Sequence, residues 1–193
     1  MTDPSAGQVD ALILSPGTPY AERVIPDTLR TEVLDPAALQ RFADELRSLR
    51  PGLTADTLRV NLNQCGTAAR MLGDLDTAAD ELGQALELAG DREPQRTLAR
   101  LRLAEVHRLA GRTEQAAATF DSCEQTADSF GAATAAVIHQ HAGKFAFDRG
   151  DWEHALAAFA AAHRLRLQGG DPELIASSEL ALAVATERVA ATP

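Results

Sequence analysis

Three segments of this chain repeat one pattern, and that repetition limits the fold more than any other feature. Gly73-Asp74-Leu75-Asp76-Thr77-Ala78, Gly111-Arg112-Thr113-Glu114-Gln115-Ala116 and Gly150-Asp151-Trp152-Glu153-His154-Ala155 each place an Ala five residues after a Gly, with a short polar turn between. A large apolar residue follows in each copy (Leu82, Phe120, Phe159), and then a small one (Ala85, Cys123, Ala162). The glycines recur after 38 residues (73 to 111) and after 39 (111 to 150). A fixed period of that size belongs to stacked helical hairpins, because one hairpin cannot bury its apolar face alone and needs the next.

Start and stop signals place the helices. Asp35-Pro36 pairs a capping side chain with a residue tolerated in the first turn, and Leu39, Phe42, Ala43, Leu46 and Leu49 give one apolar face until Pro51-Gly52. Thr54 opens a helix over about 55–72, whose partner over 77–89 ends at Gly90. The next hairpin pairs 95–110 with 113–129, closing at Gly131, and the third pairs 133–149 with 152–168, closing at Gly169-Gly170. Asp171-Pro172 starts a last helix, 173–190. Such short connections force successive helices to pack antiparallel. The repeats therefore span 55–90, 95–131 and 133–170 within one all-α domain, 35–193. Residues 1–34 carry Pro4, Pro16, Pro19 and Pro26, a density that no helix interior tolerates, and read as an extended N-terminal arm. Its apolar run Val9 to Leu14 is expected to lie against the helices.

Composition narrows the class of partner. Across 193 residues, 28 Asp and Glu against 18 Lys and Arg give a formal charge of −10, the wrong sign for a surface that tracks phosphate backbones or anionic lipid. Nucleic acid and membrane are not expected partners. The start, Met1-Thr2-Asp3-Pro4, has no basic region leading into an apolar stretch, and no segment approaches the roughly 18 apolar residues of a membrane span. A cytoplasmic location follows as an expectation. Lys144 is the single lysine; the Arg and Ala richness reads as the mark of a GC-rich, bacterial genome. Cys65 and Cys123 fall where the repeat wants small packed residues and read as buried thiols.

The pattern resembles the tetratricopeptide repeat (TPR) family on Gly66, Gly73, Ala78, Leu82 and Ala85; Leu103, Ala104, Gly111, Ala116 and Phe120; and Gly143, Gly150, Ala155, Phe159 and Ala162. The match covers roughly residues 59–170, with a longer period than the standard repeat of about 34. The resemblance implies an α-α superhelix closed by a capping helix, and a non-catalytic adaptor or scaffold that binds a protein or peptide along the first helix of each hairpin. The stripes there are Val60, Asn63, Thr67 and Arg70; Leu98, Leu101, Glu105 and Arg108; Val137, Gln140, Lys144 and Phe147, each spaced three or four apart. Asn63, Thr67, Arg70, Arg102, Glu105, Arg108, Gln140 and Lys144 are the expected binding residues. The stripes carry Arg70, Arg108 and Lys144 against Glu105, a positive excess that suits a peptide bearing carboxylates, anchored by Arg108 and Lys144. The Lys, Asn and Arg pattern of the family's carboxylate clamp is not reproduced.

No catalytic site is expected. His139 and His141 sit two apart on a helix and cannot share a metal as an i, i+4 pair would, and His107, His154 and His163 read as packing or surface residues. Lys144 on an open stripe lacks the burial that makes a lysine nucleophilic. Neither a nucleophile elbow, a P-loop, a dinucleotide fingerprint nor a zinc-protease motif is present. No cofactor or metal is expected, and Trp152 reads as a cover for its hairpin.

The last helix has apolar residues on more than one side (Leu174, Ile175, Leu180, Leu182, Val184, Val189), whereas a capping helix shows a polar outer face. Either the arm covers it or a second copy does, giving a homodimer through this helix. Two other readings share the fold: a regulatory sensor that holds a small ligand or signalling peptide, and a structural subunit of a larger assembly.

Overall fold

The computed structural model describes residues 22–192. Among them lie a hairpin of β1 (Glu22–Ile25) and β2 (Arg30–Val33) and eight α-helices: α1 (Pro36–Ser48), α2 (Ala55–Leu72), α3 (Leu75–Ala89), α4 (Gln95–Leu109), α5 (Thr113–Gln125), α6 (Ala132–Asp148), α7 (Trp152–Gly169) and α8 (Pro172–Ala190). The protein is all-α in its packing, with the helices in sequential antiparallel pairs. The described residues form two compact units: Glu22, Arg23 and 31–106 make the first, and 24–30 with 107–192 the second.

The repeated turn has a clear physical origin. Gly73, Gly111 and Gly150 each end a helix with positive φ (84°, 73° and 74°), a conformation that costs any residue with a Cβ. The next N–H turns back onto the helix it has left: Asp74 to the Ala69 carbonyl at 2.9 Å, Arg112 to His107 at 2.9 Å, Asp151 to Ala146 at 3.0 Å. Asp74 and Asp151 then cap the following helix by accepting from the Thr77 and His154 N–H groups at 3.1 and 3.3 Å. Arg112 cannot do this, and α5 begins without a side-chain cap.

The second half of the motif sets how closely the helices approach. A Cβ built on Gly66 in α2 would lie 2.7 Å from Leu82 Cγ in α3, and one on Gly143 in α6 would lie 2.6 Å from two ring atoms of Phe159 in α7. In these two copies the large apolar residue of the repeat thus rests on the bare backbone of the preceding helix. In the first unit, Leu39, Ala43 and Ala68 form one core cluster and Ala69, Ala78, Leu82 and Val106 another. A buried carboxylate joins α1 to α3, since Glu81 accepts from Arg47 Nε and Arg50 Nη2, both at 2.9 Å. Arg50 also donates to Asn61 Oδ1, and Asn61 Nδ2 donates to the Leu46 carbonyl, which extends the network to the end of α1; Glu81 Oε2 is buried without a partner among the described residues.

Two expectations are corrected. Part of the stretch read as an extended arm is a hairpin, whose strands are rich in Val24, Ile25, Thr31 and Val33 around a Pro26-Asp27 turn. The helix expected to run to 129 stops at Gln125, where the Thr126 hydroxyl donates to the Ser122 and Cys123 carbonyls and a 3-10 turn, Ala127–Ser129, follows. The proposed seating of Val9 to Leu14 lies outside the described residues. The hairpin tip does reach a core: Leu29, 2% exposed, packs in the second unit with Ala146, Phe147, Phe159, Ala181 and Ala185, and Val24, Leu182 and Val184 border the same cluster. Two of the apolar residues of α8 are thereby accounted for within one chain. No described helix is long and apolar enough to cross a membrane.

Candidate functional site

In the first unit, α2 places Arg59, Asn63, Thr67 and Arg70 on one stripe at intervals of four, four and three. The stripe is less open than its sequence suggested. Asn63 is only 8% exposed; its Nδ2 donates to the Arg59 carbonyl at 2.9 Å, and the Thr67 hydroxyl donates to the Asn63 carbonyl at 2.7 Å. These polar groups serve their own helix first. On α2, three buried atoms are left without a partner among the described residues: Asn63 Oδ1, Gln64 Oε1 and Arg59 Nε.

Arg102 of α4 belongs to the same neighbourhood. Burial draws its guanidinium below the usual arginine range, and the charges of Arg59 and Arg70 add to the shift. Among the described residues, none of these three arginines takes part in an ion pair, whereas Arg47, Arg50, Arg92 and Arg96 of the same unit all do. Glu105, three residues beyond Arg102, is 2% exposed. Arg59 was not among the expected residues, although its place four before Asn63 would have found it.

In the second unit the expected residues are more committed. The Arg108 side chain is 6% exposed and pairs with Asp148, a carboxylate that Arg30 also approaches at 3.6 Å. The pair is buried on the arginine side only, and it commits the Arg108 guanidinium within its own unit. Gln140, 4% exposed, accepts from Arg166 Nη1 at 3.0 Å, and the same nitrogen donates to the Leu174 carbonyl at 2.9 Å. Gln140 Nε2 and Arg166 Nε are buried without partners among the described residues. Lys144 is half-buried on α6. Arg166 was also missed, because its reach from α7 to α6 leaves no local trace in sequence.

The histidines act as helix ties. Glu124 at the end of α5 holds His154 Nε2 of α7 at 2.8 Å and His139 Nδ1 of α6 at 3.4 Å. The hydrogen bond from His139, with a further one from His154, pulls the Glu124 carboxyl below its ordinary value despite partial burial. His163 meets the Ser178 hydroxyl at 3.1 Å, and His107 accepts from Arg112 Nε at 2.9 Å. No group of His, Cys, Asp and Glu among the described residues could hold a metal ion. Cys65 and Cys123 are buried and form no disulfide, and burial pushes the Cys65 thiol up, away from reactivity. Trp152 packs edge-on to Phe147 with ring centroids 4.9 Å apart, as a hairpin cover should.

No family model matches the sequence, and no curated protein matches it. The crystal structure of BtubC (BKLC) from P. vanneervenii does resemble this chain, at a TM-score of 0.58 and 16% sequence identity, over 80% of this chain and 65% of that one. The fold is TPR-like. The chain spans 65% of the length of that structure, and at 16% identity the likeness is one of fold.

Proposed function

We propose that this protein is a non-catalytic, cytoplasmic adaptor of the TPR kind, which binds an acidic segment of a partner protein on the first-helix faces of its hairpins. One observation carries the reading: a chain of net charge −10 gathers Arg59, Arg70 and Arg102 in one unit with no ion pair among the described residues. Glu81 and Asp56 of the same unit are each paired with arginine, and guanidinium groups without such a partner suit an acidic guest. Asn63 and Thr67 line the same helix face, and in the second unit Gln140 and Lys144 lie on α6, the corresponding first helix.

The test is binding of a labelled acidic peptide, with a neutral peptide of equal length beside it, followed by anisotropy at low and high salt. The acidic peptide should bind, should weaken as salt rises, and should lose affinity in Arg70→Glu without loss of helicity. Equal binding of both peptides, or an unaffected Arg70→Glu, would remove the reading. Arg108→Glu is a poor probe, because it breaks the pair with Asp148.

A further inference from the structure

Within the second unit, the tip of the β1–β2 hairpin and the last turns of α8 border a hollow of about 320 Å³, lined by Pro26, Asp27, Val184, Glu187, Arg188 and Ala191. That volume falls at the lower end of the roughly 300–1,000 Å³ that small-molecule sites occupy. The two sides are held together from below. Leu29 packs, 2% exposed, with Ala181 and Ala185 of α8, and the Ile25 carbonyl accepts from the Thr28 and Leu29 N–H groups at 3.3 and 2.7 Å, which fixes the Pro26-Asp27 turn beside that helix. Val184, Arg188 and Ala191 follow four and three apart, with Glu187 next to them, and so share one side of the end of α8.

Three charges line this hollow, and none is neutralised there. Asp27, Glu187 and Arg188 are exposed, and none of them makes an ion pair or a side-chain hydrogen bond among the described residues. Arg188 holds its guanidinium 5.9 Å from the centroid of the Trp152 ring. Groups of opposite sign that face one cavity without closing on each other leave room for a guest that carries both signs. Glu187 stands in the last turn of α8, at the negative end of the helix, where a carboxylate gains most from a bound cation.

We propose that this hollow binds a free basic amino acid. Asp27 and Glu187 take its two cationic groups, the Arg188 fork takes its carboxylate, and Pro26, Val184 and Ala191 border its aliphatic chain. The two negative charges and one positive charge of the lining thus meet two positive charges and one negative. A diamine would leave Arg188 unmatched, and a neutral amino acid would leave one carboxylate unmatched. The site shares no residue with the arginines of the adaptor reading and stands or falls apart from it.

The probe is L-lysine, titrated into the full chain by calorimetry while the fluorescence of Trp152, the single tryptophan, reports on the guanidinium beside it. Lysine should bind one-to-one and change the Trp152 emission along the same isotherm. It should bind at least about tenfold tighter than cadaverine, which lacks the carboxylate, and than L-norleucine, which lacks the side-chain ammonium. Asp27→Asn and Arg188→Gln should each weaken lysine about tenfold or more and melt as the parent does, both side chains being exposed. The three-ligand series is read on the parent chain, so it decides even where a variant folds poorly. No saturable binding of lysine, cadaverine or norleucine as tight as lysine, or affinity unchanged in both variants would overturn the site.

Discussion

At the scale of single residues, the repeat is governed by what its glycines leave out. Phe159 lies where a Cβ on Gly143 would be, 2.6 Å from two ring atoms, and both helices are held on either side of that contact. Gly143→Ala should therefore destabilise the protein by roughly 1–3 kcal/mol, the usual cost of overpacking a filled site. Gly66→Ala should cost less, because its two nearest contacts belong to Leu82, whose side chain can rotate more freely than a ring, and the third, the Ala78 carbonyl oxygen, lies farther off at 3.3 Å. Thermal melts of the two variants read the difference, and equal losses would show that backbone propensity rather than the contact is decisive. The reasoning from sequence found both glycines by pattern, but it could not say which neighbour fills the space each leaves.

At the scale of elements, helix ends were legible and their exposure was not. Asp35-Pro36, Thr54, Asp74, Asp151 and Asp171-Pro172 cap helices through local hydrogen bonds, so a local reading finds them. The hairpin of β1 and β2 escaped because four-residue strands carry little periodicity. The candidate stripe was visible as spacing, yet Asn63, Glu105 and Gln140 proved buried, since burial depends on the helices packed alongside. Glu124 shows how such ties respond to pH. Its folded-state pKa is depressed below the ordinary value of 4.5, so its contribution is present above that value and lost as pH falls below it. The parent chain should lose stability more steeply than Glu124→Gln between about pH 5 and pH 3, and parallel curves of melting temperature against pH would show that the His139 and His154 contacts carry no linkage.

At the scale of the whole molecule, charge and covalent order matter more than any single contact. A net −10 surface would repel an acidic guest from most approaches and leave a few arginine-rich places where it can settle. The repeat pattern invites dissection at Asp35, where the first helix begins, as though everything before it were dispensable. Leu29 argues otherwise. It sits at a φ of 51°, a backbone conformation unusual for leucine, and its side chain is buried among Phe147, Phe159 and Ala185. A fragment of residues 35–193 would keep every described helix and still lack one tooth of its own core. Such a fragment should take up a hydrophobic dye that the full chain ignores and melt earlier, the gap left by one leucine being worth about 2–5 kcal/mol. Dye uptake and melting equal to those of the full chain would show that the vacated space closes. Where this protein may be cut without harm is thus set by a residue that belongs to no repeat.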